Sequence, residues 1–534
     1  MPRSCIGAFK KGLAMKIRSV EITNFRGYAS ETEVAMDDLT VFVGKNDIGK
    51  SSVLEALDIF FNDGKGAVKF DKSDINVENQ KGGDQEASIA VVFADLPDEI
   101  VIDTTAKTNL KDSYLLNGED KLEIVKKYKG TGAPKVYIKA LHPTNSGCCD
   151  LLLKKNADLK KLVKQYKLEE EVDTKSNVSM RAALWSHFSD DLKLQEIEID
   201  ISKEDAKAIW SKLSTYMPVY SLFQADRENS DSDSEVQDPL KESVKEVLND
   251  LALKEELDEV AQKVREKLQE VANRTVDKLK EVDPEVASSL DPVIPATESL
   301  KWADVFKNVS ITGDGDIPIN KRGSGTKRLI LLSFFRAEAE RRLAESETNG
   351  VIYAIEEPET AQHTENQKKL IEALQELSKI DGVQVILTTH SPYIVKHLEF
   401  ENLRLIAKGN NPGDRKISKV LPGQLRYPSL NEVNFIAFNE STEEYHDELY
   451  GAIEENEWLG EYKSNKQLVP YKKVWKGSVM PMEIPLTEYI RHQIHHPENK
   501  ENERYTLEQL HESICMMRDF IKQKRSESDE ESAE

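Results

Sequence analysis

The pattern of apolar and polar positions divides the chain into recognisable elements. KIRSVEITNF, beginning at Lys16, alternates as a half-buried strand does, and LTVFVG, beginning at Leu39, is a short apolar run rich in β-branched residues. SSVLEALDIFF then changes period, putting Val53, Leu54, Leu57 and Phe61 on one side of a helix. Residues 15–61 therefore predict strand, turn, strand, glycine-rich loop and helix. Residues 86–141 read as β-rich, with ASIAVVFADL and KVYIKAL as strands, and 150–215 as mixed but mostly helical. ADRENSDSDSEVQDP (225–239) is polar and acidic and reads as a mobile loop. From about 239 to 283, Leu257, Val260, Val264, Leu268, Val271, Thr275 and Leu279 keep a three-four spacing. Either a coiled-coil arm or an ordinary amphipathic helix gives that seam. Residues 305–410 return to strands alternating with helices, with strands at VIYAIEE and VQVILTTH, and 425–521 is helical. In PENKENERYTLEQ a loop leads into a helix, with Thr506 as N-cap and Gln509 at the third position.

The expected fold class is α/β, a nucleotide-binding head split by a helical insertion and followed by an all-α C-terminal domain. The expected boundaries are a disordered extension at 1–14, a first head lobe at 15–150, a helical insertion at 151–304 containing the arm, a second lobe at 305–410, a helical domain at 425–521 and a disordered acidic tail at 522–534.

Composition narrows the function classes. The chain has 534 residues, 39% of them hydrophobic and 32% charged, and a net charge of −23. An acidic surface repels nucleic acid, so DNA or RNA contact would need a local basic patch. The cysteines, at 5, 148, 149 and 515, form no Cys-x-x-Cys pair, and a reducing cytoplasmic setting is expected. No apolar run has the length of a membrane span, so no membrane association is expected.

The chemistry is concentrated in TVFVGKNDIGKSS. Gly44, four residues, Gly49, Lys50 and Ser51 make a full Walker A pattern, placed between an apolar strand and a helix. Backbone N–H groups of Gly44, Lys45, Asn46, Asp47, Ile48, Gly49, Lys50, Ser51 and Ser52 are the expected phosphate cradle for ATP. Lys50 would reach the β- and γ-phosphates, and Ser51 would ligate Mg²⁺. VIYAIEEPET supplies the second half. Its strand ends in Glu356, a candidate Mg²⁺ ligand through water, and Glu357, which would orient or deprotonate the attacking water. His390, just beyond the strand of VQVILTTHSP, would hydrogen-bond the γ-phosphate.

In this order the residues resemble the ABC-type ATPases of the RecF and SMC kind. The ITNFRGYAS and GKNDIGKSS stretches open such a head, and IEEPE and THSP close it. The resemblance implies a signature motif before the second strand. KRGSGTKRLILLSFF is the candidate, with Ser324 and Gly325 facing a partner's ATP, so two heads would dimerise around nucleotide. His363 falls where such heads touch. The pattern most resembles the OLD-like ATPases of bacterial antiphage systems. OLD-like nucleases carry a TOPRIM domain with an Asp-x-Asp pair, and the sequence after residue 410 contains none. The comparison then favours ATPases with a separate toxic effector, as in PARIS or Septu. It implies a homodimer or higher homo-oligomer, a separate nuclease subunit and a phage-encoded trigger.

One cluster stands apart from the head. EYIRHQIHHPEN (488–499) holds Arg491, His492, His495 and His496. Three readings compete: a metal site on one helical face, a polar docking surface, and a ribonuclease centre. Arg491 and His496 resemble the Arg-x-x-x-x-His motif of HEPN ribonucleases. The functional expectation is an ATP-hydrolysing sensor that controls a separate nuclease in abortive infection. A single-chain ATP-gated HEPN-type ribonuclease and a RecF-like DNA-repair ATPase are the alternatives.

Overall fold

The computed structural model describes residues 14–97, 100–101, 107–130, 132–170, 172–203, 206–224, 251–282, 312–313, 317–318, 350–360, 363–409, 411, 413–421, 425–427, 429–464, 466–475 and 477–531. It divides into two compact units, Met1–Ala225 with Glu338–Glu534, and Asp226–Ala337.

Two six-stranded sheets build the first unit. One is antiparallel throughout, in the order Thr32–Ala35, Lys16–Thr23, Glu86–Ala94, Leu122–Lys129, Lys135–Pro143 and Leu194–Asp200. The other runs Val219–Phe223, Val351–Glu356, Val383–Thr389, Leu39–Val43, Leu403–Lys408 and Arg415–Lys419, and only its last pair is antiparallel. The sequence pattern follows the difference. Inner parallel strands are covered on both faces and need continuous apolar runs. Leu39–Val43 and Val383–Thr389 are accordingly buried at every position. This is the α/β ABC-type P-loop head expected from the sequence, with a helical C-terminal region.

Several boundaries differ from the expectation. Helices Asn156–Gln165, Asn177–His187 and Ala206–Leu213 were assigned to the insertion, but Leu159, Val163, Met180, Leu184, Trp185 and Ile209 are buried in the head core. The second unit contains one long described helix, Leu251–Val282, where the seam was expected. Two seam residues, Val260 and Val264, are about half exposed, at 50% and 53%. Residues 225–239, and 1–13 of the extension expected at 1–14, lie outside the described residues.

The C-terminal region packs helices Leu430–Phe438, Glu443–Glu455, Leu486–His495 and Leu507–Glu531 around Tyr445, Leu449, Ile490, Ile514 and Met517. The capping box at Thr506 forms: its hydroxyl accepts from Gln509 N–H (3.2 Å), and the Gln509 carboxamide accepts from Thr506 N–H (2.9 Å). Two features depart from an all-α domain with a disordered tail. A two-stranded hairpin, Leu468–Trp475 with Ser478–Pro485, is inserted before Leu486. The last helix also runs to Glu531, well into the segment expected to be disordered. Lys524 helps hold it there, pairing with Glu461 at 2.7 Å and Glu527 at 2.9 Å.

Inside this region His446 is fully buried, with Nε2 3.0 Å from Ser513 Oγ. Ser513 donates to Thr487 Oγ1 (2.9 Å), which lies 2.9 Å from the Tyr462 hydroxyl. Burial pushes the His446 imidazole below its ordinary value of 6.5, only partly opposed by Asp447. The unfolded chain then takes up the proton more readily than the folded one, so stability falls as pH drops below about 6.5. His142, buried and shifted the same way, adds to the trend. Thermal unfolding of wild type should show a lower midpoint near pH 5.5 than near pH 7.5 (both approximate), and His446→Gln should reduce that difference. An unchanged difference in the variant would remove His446 from the account.

Candidate nucleotide-binding site

Strand register brings the three sequence motifs to one edge. Val43 pairs with Thr389, so the glycine-rich loop and His390 leave adjacent strands at the same level. Glu356 pairs with Thr388 on the next strand, which places Glu357 at that level too. The carboxyl ends of parallel strands are where α/β sheets hold ligands.

The loop is shaped for close backbone approach. Gly44 has φ +155, and a Cβ there would meet the Ile406 carbonyl at 2.7 Å. Gly49, with φ +102, is the N-cap of helix Lys50–Asn62, which has no side-chain cap and no acid in its first turn. Its first N–H groups and the positive end of its dipole therefore favour an anion. Lys50 is 5% exposed, and its ammonium donates to the Gly44 and Lys45 carbonyls, both at 3.0 Å. Burial lowers its pKa, against the raising influence of Glu357, Glu359 and Asp47. Lys45, Asn46, Asp47 and Ser51 are exposed, Ile48 is buried and Ser52 is half-buried.

Glu357 has a left-handed backbone, φ +40, which is uncommon for a side chain of this size. Its N–H donates to the Thr388 carbonyl (3.0 Å) and hydroxyl (3.2 Å), which fixes the turn. His390 Nδ1 lies 3.1 Å from Glu357 Oε2 and 3.4 Å from Glu359 Oε1. Glu359 is 3% exposed and accepts from the Thr389 hydroxyl (2.7 Å) and His390 N–H (2.9 Å). It holds the histidine segment against the carboxylate turn.

Sequence reasoning did not single out three supports. The Tyr28 hydroxyl donates to the Gly49 carbonyl (2.9 Å), and Arg415 Nε donates to the Ile48 carbonyl (3.0 Å), so two side chains brace the loop. Tyr28 lies in the NFRGY stretch, which pointed to it; Arg415 is 367 positions from Ile48 and left no local signal. Glu359 was visible only as one more acid in EEPET.

The residues fit ATP and Mg²⁺ in kind. An uncapped helix N-terminus and a lysine that, among the described residues, bonds to loop carbonyls suit a phosphate chain. Among the described residues no group of three or more His, Cys, Asp or Glu is arranged to hold a metal. Mg²⁺ beside phosphate needs little more than one or two protein oxygens, since it keeps several waters. Ser51 in the first turn and Glu356 at its strand end are the candidates. His363 is exposed at the start of helix Thr364–Ser378, and Ser324 and Gly325 lie outside the described residues.

The C-terminal cluster meets several neighbours. His492 stacks on Tyr471 with ring centroids 5.2 Å apart, His495 faces Asp447 at 3.2 Å, and His496 faces Glu498 at 3.2 Å. The His492 and His496 rings also face each other, with centroids 6.3 Å apart, but the metal reading fails because no metal-holding group forms among the described residues. Arg491 lies over the Tyr450 ring at 3.9 Å, with Glu454 at 3.4 Å. His496 is the C-cap of the helix that carries Arg491. Arg491 and His496, the candidate ribonuclease pair, thus have different neighbours, Tyr450 with Glu454 for the first and Glu498 for the second.

Fold and site together define a P-loop ATPase. The chain belongs to the AAA ATPase domain family, which it matches over residues 15–395. No curated protein matches it. Among solved structures it is similar to the SMC head domain from Thermotoga maritima (13% identity, 76% of this chain and 99% of that one, TM-score 0.31). It is also similar to an SMC head bound to the C-winged helix domain of ScpA (14%, 75% and 97%, 0.37). A third is an SMC head with an extended coiled coil bound to the C-terminal domain of ScpA derived from Pyrococcus furiosus (17%, 76% and 96%, 0.32). No helix among the described residues is long and apolar enough to cross a membrane.

Proposed function

We propose that this ATPase is the nucleotide-driven regulatory subunit of an antiphage complex and controls a separate toxic nuclease. The observation that carries the ATP-hydrolysing part is the meeting of Lys50, Glu357 and His390 at one sheet edge, with Glu357 and His390 in direct contact. ATP bound along the loop would have its terminal phosphate near Lys50. Glu357 accepts a proton from, or orients, the attacking water, and His390 is held beside that carboxylate by Glu359. Mg²⁺, through Ser51 and Glu356, supplies neutralisation of phosphate charge. The resemblance of the motifs to OLD-like defence ATPases supports the biological role. The lack of an Asp-x-Asp pair after residue 410 supports an effector outside this chain.

The reading is checked by purifying the tagged chain from cells that carry its neighbouring genes. A second protein should coelute, and its toxicity should depend on Lys50. Protection against phage by this chain alone, with no second gene product, would overturn the separate-effector reading while leaving the ATPase intact.

A further inference from the structure

Among the described residues the hairpin Leu468–Pro485 pairs with no other strand. Its base is anchored: Tyr471 packs on Tyr489 and His492, and Ile484 is buried. Toward the tip the burial stops. Val474, Val479, Met480 and Met482 are 40–47% exposed, and Leu468 is 48% exposed. By alternation Leu468, Val474 and Val479 lie on one face and Met480 and Met482 on the other. An isolated two-stranded ribbon is marginally stable in water, and an apolar patch shared by both its faces marks an interaction surface.

The free edges are closed to strand addition. The Lys472 N–H donates to Asn502 Oδ1 (2.8 Å), and its carbonyl accepts from Asn499 and Asn502, so position 472 faces outward from the ladder. Register then puts Pro470, Pro481 and Pro485 at outward positions as well. Each lacks the N–H that an added strand would need. A partner must therefore meet the side-chain faces.

Charge selects the partner. The hairpin Leu468–Pro485 has Lys472, Lys473 and Lys476 against one carboxylate, Glu483, within a protein of net charge −23. A basic, apolar arm on an acidic body is complementary to another such body. Packing arm against arm would set the lysines against each other.

We propose that the hairpin is a docking arm that seats on the acidic surface of a second copy of this chain, joining copies independently of nucleotide. The test is sedimentation of the full-length protein without nucleotide, in low and high salt. Wild type should self-associate, less so in high salt, and Met480→Glu with Met482→Glu should raise the dimer dissociation constant by about tenfold or more. Lys472→Glu with Lys473→Glu should also weaken association and flatten its salt dependence. Both pairs are exposed, so unchanged thermal midpoints are expected. A wild type that stays monomeric, or double variants that associate as wild type does, would overturn the proposal. So would a monomeric wild type that binds a single-stranded oligonucleotide through the same residues. Because no nucleotide is present, failure of the arm leaves the ATPase reading untouched.

Discussion

Lys50→Ala should lose ATP hydrolysis by about 10²–10³-fold or more while remaining at least as stable as wild type. The two halves have different causes. Turnover depends on a fixed positive charge at the phosphates, and removing one such group typically raises the barrier by about 3–4 kcal/mol. Stability moves the other way because the ammonium is buried, and its pKa is lowered by that burial. Among the described residues its hydrogen bonds go to the carbonyls of Gly44, which is buried, and Lys45, which is exposed, and water entering the space left by truncation would replace them. Steady-state phosphate release and thermal unfolding measure the two. Retained turnover would overturn the site. A large fall in midpoint would mean that Lys50 holds the loop together, and that lost activity reports misfolding.

How much the sequence disclosed depended on the range of the interaction. The glycine-rich loop was legible because its chemistry is local: Gly44 and Gly49 supply backbone angles, and the next residues begin the helix. The strands around it were legible because a doubly covered parallel strand must be apolar throughout. Arg415 and Glu359 were not, since their roles exist only after distant strands pair. The hairpin was hidden for a different reason. Pro470, Pro481 and Pro485 argue against a strand in an interior sheet, yet they are tolerated at outward positions of a ribbon with free edges. The EYIRHQIHHPEN cluster misled because spacing along a helix says which residues share a face, not which neighbours they find. Tyr450, Tyr471 and Asp447, all from other elements, engage its side chains.

Glu357→Gln should reduce turnover by about 10²–10⁴-fold, the range for loss of a general base, while nucleotide still binds. Gln keeps the size of the side chain and leaves the backbone donation to Thr388 in place, so ATP is expected to accumulate on the protein. A fluorescent ATP analogue in equilibrium titration separates binding from phosphate release. Normal turnover in this variant would move the catalytic role elsewhere, to Glu356 or Glu359. A second variant at the same position isolates the backbone. Glu357 is held at φ +40, a conformation that disfavours L side chains by roughly 1–2 kcal/mol. Glycine is relieved of that, and loses about 0.5–1 kcal/mol through the greater freedom of its unfolded chain. Glu357→Gly should therefore be inactive yet as stable as wild type or slightly more so. Destabilisation beyond about 1 kcal/mol would show that the turn is not strained. If both results hold, strain at position 357 persists because the carboxylate must face His390 and the water, and a residue chosen for stability alone would not be a glutamate.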